Sequence, residues 1–185
     1  MKNMFRRCYK LEKLDISSFD TSKVTDMSYL FCDCRKLSIL NLNKFDTSNV
    51  QYMNHMFYRC WVLKTLNLYN FNTTNVLNMN YMFYNCKILN SLNINSFDTS
   101  KLEEAEYMFA YLKKMEKLNL SHFKTSNLRT MRGMFFECSE LLSLNISNFD
   151  TSLVTNMEYL FQNCKKLTSF DILNFNTSSV HSMSY

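Results

Sequence analysis

Apolar residues recur along this chain in two alternating patterns. Around Leu14, Asp15 and Ile16 apolar and polar positions alternate, the two-residue period of a short, half-buried strand. From Val24 through Met27, Leu30, Phe31 and Cys34 the apolar positions fall three or four apart, which predicts a short helix. The pair of patterns then repeats. Phe stands at 5, 31, 57, 83, 109, 135 and 161 and again at 19, 45, 71, 97, 123, 149 and 175, so fourteen of the sixteen phenylalanines occupy two columns with a 26-residue step. The unit reads V-x-x-M-x-Y-[ML]-F-x-x-C-x-x-L-x-x-L-N-[LI]-x-x-F-[DN]-T-[ST], and seven copies plus three residues account for all 185 positions.

One strand and one short helix per repeat predict an α/β solenoid of leucine-rich-repeat type, a right-handed superhelix with parallel strands side by side. Residues 1–185 read as a single array, with no linker and no recognisable caps. A lone unit cannot close its own core, because its inward Phe, Leu, Met and Cys need neighbours above and below. Seven strands roughly 4.8 Å apart would form a ribbon on the order of 30 Å long.

Composition narrows the picture in a few respects. With one glycine and no proline, the turns fall to Asn, Asp, Ser and Thr, whose side chains bond nearby backbone. An apolar content of 46% excludes a disordered chain. The net charge of +5 is spread thinly along the sequence rather than gathered in runs, which argues against nucleic acid or anionic lipid as a partner. No apolar run reaches the length of about 18 residues that a membrane span requires. The opening MKNMFRRCYK lacks an apolar signal core, so if the protein is exported its signal is expected outside this chain.

Several columns carry residues capable of chemistry. Cys8, Cys34, Cys60, Cys86, Cys138 and Cys164 share one column, and Leu112 takes the same place in the remaining unit. A position that accepts Leu is a core position, where Cys acts as a small hydrophobe. Their spacing fits no zinc module. Cys32 stands out of register, which makes it the expected reactive thiol. His55, His122 and His181 fall in three different columns, none in register with a nucleophile. Asp20, Asp46, Asp98 and Asp150 could suggest a calcium ladder, but Lys124 shares their column, and N-caps or Asx turns explain them better. Glu106, Arg132 and Glu158 share a column, as do Glu103 and Arg129, so ion pairs between stacked repeats are expected there. No catalytic residue, cofactor or metal ligand is predicted.

The stretch Phe19 to Val50, FDTSKVTDMSYLFCDCRKLSILNLNKFDTSNV, resembles the 26-residue repeat of bacterial surface proteins, the BspA-like branch of the leucine-rich repeats. The resemblance covers all seven units. It implies a non-catalytic, surface-exposed or lipid-anchored protein with a role in adhesion. The cell surface or the secreted fraction is the implied location of the parent protein, with the cytoplasm as the alternative. Such arrays normally carry a signal sequence and terminal caps, so the chain is expected to be a fragment of something longer. Its open ends could associate end to end.

Two faces are candidates for contact with a protein or a cell-surface ligand, on a host or a neighbouring cell. On the strand side, inward Leu66 and Leu68 leave Asn67 pointing out, and Asn41, Asn67, Asn93, Asn119 and Asn145 continue that stripe, with Asn43, Tyr69 and Asn95 beside it. On the other side, Tyr29, Tyr81, Tyr107 and Tyr159 form a competing column with His55 and Gly133 in register. The bland alternatives are a solvated sheet face and rings folded over their neighbours. A structural spacer or intracellular scaffold with no ligand of its own is the alternative function.

Overall fold

The computed structural model describes residues 1–168 and 170–185. Six short strands follow one another: β1 (Lys13–Leu14), β2 (Ile39–Leu40), β3 (Thr65–Asn67), β4 (Ser91–Asn93), β5 (Lys117–Asn119) and β6 (Ser143–Asn145). They pair in parallel as β1 with β2, β3 with β4 and β5 with β6. Each residue meets its counterpart 26 positions on, as Leu66 meets Leu92 and Asn67 meets Asn93. A seventh strand, expected beside Phe170 and Asp171, would include Ser169, which lies outside the described residues.

A second parallel ladder runs through every unit, from Asp26 to Tyr52, Asn78, Glu104, Thr130, Asn156 and Ser182. This ladder leads into the segment where the spacing predicts a helix, and there the expectation fails. No α-helix occurs among the described residues. From Met27 to Asp33 the backbone amides divide in alternation. Those of Met27, Tyr29, Phe31 and Asp33 donate to carbonyls of Tyr52, Asn54, Met56 and Tyr58 in the next unit at 2.7–3.0 Å. Those of Leu30, Cys32 and Cys34 close back three residues, onto Met27, Tyr29 and Phe31.

Two left-handed residues per unit enforce this path. Tyr29 (φ 59°) and Asp33 (φ 61°) belong to columns that repeat the conformation in each unit, beginning at Asn3 and Arg7 and including His55, Tyr81 and Gly133 in the first and Arg59, Asn85 and Glu137 in the second. A non-glycine residue held there costs roughly 1–2 kcal/mol, so the array must gain elsewhere. The gain is spacing. An α-helix is about 10 Å across, whereas neighbouring strands lie about 4.8 Å apart, so helices on one side would have to splay from strands on the other. A flat strip of turns stacks at nearly the strand distance and lets each unit bond the next along both sides.

The core fills the space between the two ladders. Phe5, Phe31, Phe57, Phe83, Phe109, Phe135 and Phe161 stack in one column with ring centroids 5.7–5.9 Å apart. The inner five of these are fully buried. Met27, Met53, Met79, Ala105 and Met131 line the core beside them. At the C-terminal end an apolar hollow of about 410 Å³ opens among Met157, Leu160, Phe161, Ile172, Phe175 and Met183.

Buried threonines connect the units where the strands have ended. Thr47 Oγ1 accepts the amide of Asn72 at 2.8 Å and donates to its carbonyl at 2.9 Å. Thr21, Thr99, Thr125 and Thr151 do the same to the residue 25 positions on. The residues before them form Asx turns: Asp20, Asp46, Asn72, Asp98 and Asp150 accept the amide two positions later at 2.9–3.1 Å. The acidic column is therefore turn chemistry rather than helix capping, and those bonds hold the aspartates below the usual carboxylate range.

Candidate functional site

The strand face is the more open of the two candidate surfaces. Asn41, Asn67, Asn119 and Asn145 are exposed and Asn93 is half-buried, while Leu66 and Leu68 point into the core. Asn43, Tyr69 and Asn95 are exposed on the same face, Tyr69 by 56%.

One feature of this stripe was not legible in its composition. Each asparagine spends its side-chain oxygen on an Asx turn. Asn41 Oδ1 accepts from the Asn43 amide at 3.0 Å, Asn67 from Tyr69 at 3.3 Å, Asn93 from Asn95 at 3.3 Å, Asn119 from Ser121 at 3.0 Å and Asn145 from Ser147 at 3.2 Å. Asp15 does the same with Ser17, which explains why Asp can replace Asn here. The Nδ2 groups have no protein acceptor among the described residues. The stripe thus offers solvent a row of N–H donors at strand spacing.

The tyrosine side is organised differently. Tyr29, His55, Tyr81 and Tyr107 stack face to face, with centroids 4.4, 4.7 and 5.1 Å apart. Tyr159 stacks on Tyr185 at 4.9 Å. All four candidate tyrosines are half-buried. At Gly133 the column has no ring, and Tyr107 leans over to occupy the space a β-carbon would need. A second aromatic column, Tyr58 and Tyr84 stacked at 4.9 Å with Tyr111 and Phe136 beyond, packs against the first. Tyr58, Tyr84 and Phe136 lie on one 26-residue grid, with Ala110 between the last two, and that was the signal by which the sequence could have revealed it. Burial pushes the Tyr84 hydroxyl up to about 12, with Tyr111 adding to the effect. The ring faces are consumed by one another, so this surface shows mainly edges.

His55 is the exception within that ladder. Its Nδ1 is buried without a partner, and burial together with the Arg6 charge lowers its pKa from 6.5 to about 4. Between those values the unfolded chain binds the proton and the folded chain does not, so stability rises with pH across that window and is flat below it. Changing His55 to Tyr, the residue usual in its column, is expected to flatten the unfolding midpoint measured from pH 6.5 down to pH 4. An unchanged slope would remove His55 as its source.

The cysteines are free thiols packed between repeats. Cys34, Cys60, Cys86, Cys138 and Cys164 each donate to the carbonyl of the Phe 29 residues earlier, at 3.1–3.3 Å. Burial raises the Cys34 and Cys86 thiols to about 12. Cys32, expected to be reactive because it is out of register, is also buried, and burial with the neighbouring Asp33 raises its thiol. It stands 26 residues before Tyr58, in register with the second aromatic column, and is buried there. Native labelling with a maleimide is therefore expected to reach half-buried Cys8 and Cys164 first and to leave Cys32, Cys34, Cys60, Cys86 and Cys138 protected until unfolding. Equal rates for all seven would contradict the buried column.

Two of the expected charge pairs form, Arg129 with Glu103 at 3.5 Å and Arg132 with Glu158 at 3.0 Å. Glu106 instead accepts the Thr130 hydroxyl. No cluster of three metal-ligating side chains occurs among the described residues, and no helix there is long and apolar enough to cross a membrane.

The whole length is similar to known sequences: residues 1–119 and 112–185 match the family described as Mycoplasma protein of unknown function, DUF285. Among solved structures, a leucine-rich repeat protein from Bacteroides ovatus is similar over 98% of this chain, with a TM-score of 0.51 and 20% sequence identity. The chain spans 44% of the length of that protein. No curated protein matches it significantly.

Proposed function

The chain belongs to the BspA-like repeat family described as Mycoplasma protein of unknown function, DUF285, and from that premise we propose a non-catalytic module that adheres to a protein or cell-surface ligand through its strand face. In this reading residues 1–185 are one solenoid array, and the parent protein carries it on the cell surface or into the medium.

The observation that supports this best is the donor row on the strand face. Asx turns immobilise Asn41, Asn67, Asn93, Asn119 and Asn145, and their amide N–H groups point outward without partners among the described residues. Fixed donors lose little entropy when they bind, which favours a ligand rich in acceptor oxygens. Tyr69 adds exposed apolar area with a polar tip. The tyrosine side is the weaker candidate, because stacked rings leave little free face.

The same Asx turns favour the second reading, a spacer or scaffold in which the asparagines serve the backbone alone. The two readings separate on one variant. Asn67→Asp, Asn93→Asp and Asn119→Asp together keep the acceptor that the turn requires, as Asp15 does, but remove the donors. Binding of the array to intact cells and to a panel of extracellular proteins and glycans is measured beside this variant. Saturable binding lost in the folded variant is the expected result. Binding by neither leaves the spacer reading, and equal binding by both places the contact away from the asparagine donors.

A further inference from the structure

We propose that the edge of the stack leading into the strands is a second binding surface, one that takes an acidic polysaccharide laid along the stack axis. This surface is distinct from the strand face and would act whether or not that face binds.

Charge that is thin along the chain is concentrated across it. The eight positions that run from residue 6 to residue 13, with their equivalents in every later unit, hold fourteen of the 21 Lys and Arg but only five of the 16 Asp and Glu. This edge carries +9 and the remainder of the molecule −4, which together give the overall +5. Stacking brings residues 26 apart into adjacent rows, so lysines far apart in sequence become neighbours. Lys10, Lys36, Lys64, Lys87, Lys114 and Lys117 are all exposed there, and none has an ion-pair partner among the described residues.

Part of the edge is held rigid. The Arg35 guanidinium lies 4.7 Å from the Tyr9 ring and 4.4 Å from the Trp61 ring, and Lys87 Nζ lies 4.5 Å from the Trp61 ring. Cations stacked on aromatic faces are already placed before a ligand arrives. Further along, a polar hollow of about 390 Å³ is lined by Asn90, Lys114, Glu116 and Lys117.

The occupant follows from this mixture. Two ammonium groups with a carboxylate and an amide suit a unit that carries hydroxyls as well as a negative group, since Glu116 and Asn90 can accept hydroxyl protons while the lysines meet the anion. A phosphodiester backbone or a lipid headgroup layer offers dense negative charge and few hydroxyl donors, and Glu116, which lines the hollow and has no ion-pair partner among the described residues, would oppose it. Rows on this edge repeat at the spacing of paired strands, about 4.8 Å, near the rise of one sugar in an extended chain. The exposed apolar side chains on this edge, Tyr9, Ile39, Val62, Ile88 and Leu142, are scattered over four columns, with only Val62 and Ile88 stacked neighbours, and form no continuous ridge that could enter a bilayer.

Hyaluronate, which carries a carboxylate and free hydroxyls in each repeat, is the probe, with binding followed by calorimetry at low and at raised salt. The edge variant changes Lys36, Lys64, Lys87, Lys114 and Lys117 to Gln. A control changes Lys2, Lys23, Lys44, Lys101 and Lys124 to Gln, an equal loss of charge elsewhere. A third variant, Asn43→Ala, Tyr69→Ala and Asn95→Ala, alters the strand face without changing charge. The expected result is salt-sensitive binding weakened about tenfold or more in the edge variant and by less than about twofold in the other two, with melting unchanged. Equal loss in edge and control variants means unspecific attraction and overturns the proposal. Loss confined to the strand-face variant moves the site there and also overturns it. So do failure of the unaltered chain to bind hyaluronate at low salt, and binding to phosphatidylserine vesicles but not to the polysaccharide.

Discussion

Replacing Phe83 with alanine is expected to lower the free energy of unfolding by about 3–5 kcal/mol, measured by urea denaturation. Phe83 is fully buried and its ring is stacked on both sides, 5.8 Å from Phe57 and 5.7 Å from Phe109. The change therefore removes contacts from three units at once. The neighbouring rings cannot close the gap, because the backbone bonds of adjacent units hold them at the stacking distance. The same change at Phe5, half-buried with a column neighbour on one side, should cost visibly less. Because stability in a stacked array depends on nearest-neighbour interfaces, a central loss should also broaden the transition as the two halves uncouple. An unaltered midpoint for the Phe83 variant would refute the column as the source of cohesion.

Thr99 is the second position where a large effect is expected. Its hydroxyl accepts the Lys124 amide at 2.8 Å and donates to the Lys124 carbonyl at 3.0 Å, with the side chain completely buried. Thr99→Val keeps the shape and leaves both backbone groups without a partner, each at a cost of about 1–3 kcal/mol. The expected loss is thus about 2–6 kcal/mol by the same principle, comparable to that of the Phe deletion although no volume is removed. Thr99→Ser retains the hydroxyl and should recover most of it. If the valine and serine variants unfold alike, the hydroxyl is not what joins the units at this column.

These two residues differ in how far the sequence disclosed their roles. The Phe column is plain from its period, because a large apolar side chain repeated without slippage has nowhere to go but the core. Thr99 belongs to a run, Asp-Thr-Ser, that reads as turn or cap chemistry, and so it is. That the Thr bonds the next unit, while Asp98 bonds its own, depends on having a neighbour in place. The charged edge lies between these cases. Its lysines can be summed by column once the 26-residue period is known, yet read along the chain they look dispersed.

The strand-face asparagines show a different limit. Their outward direction follows from alternation with Leu66 and Leu68, and the structure places them there. Which of their atoms remains free is set by the turn that follows each strand, and alternation carries no information on that.

By itself, then, the sequence determined the period, the register of the stack, the side chains that enter the core and the burial of the cysteine column. All of these follow from which face of the chain each residue occupies. The tertiary structure decided the strip from Met27 to Asp33, where a helix was expected and linked turns are found. A helix and a series of three-residue turns bury the same set of positions, three and four apart. They differ only in where the backbone amides donate, and here the next unit, one stacking distance away, supplies the acceptors for every second one.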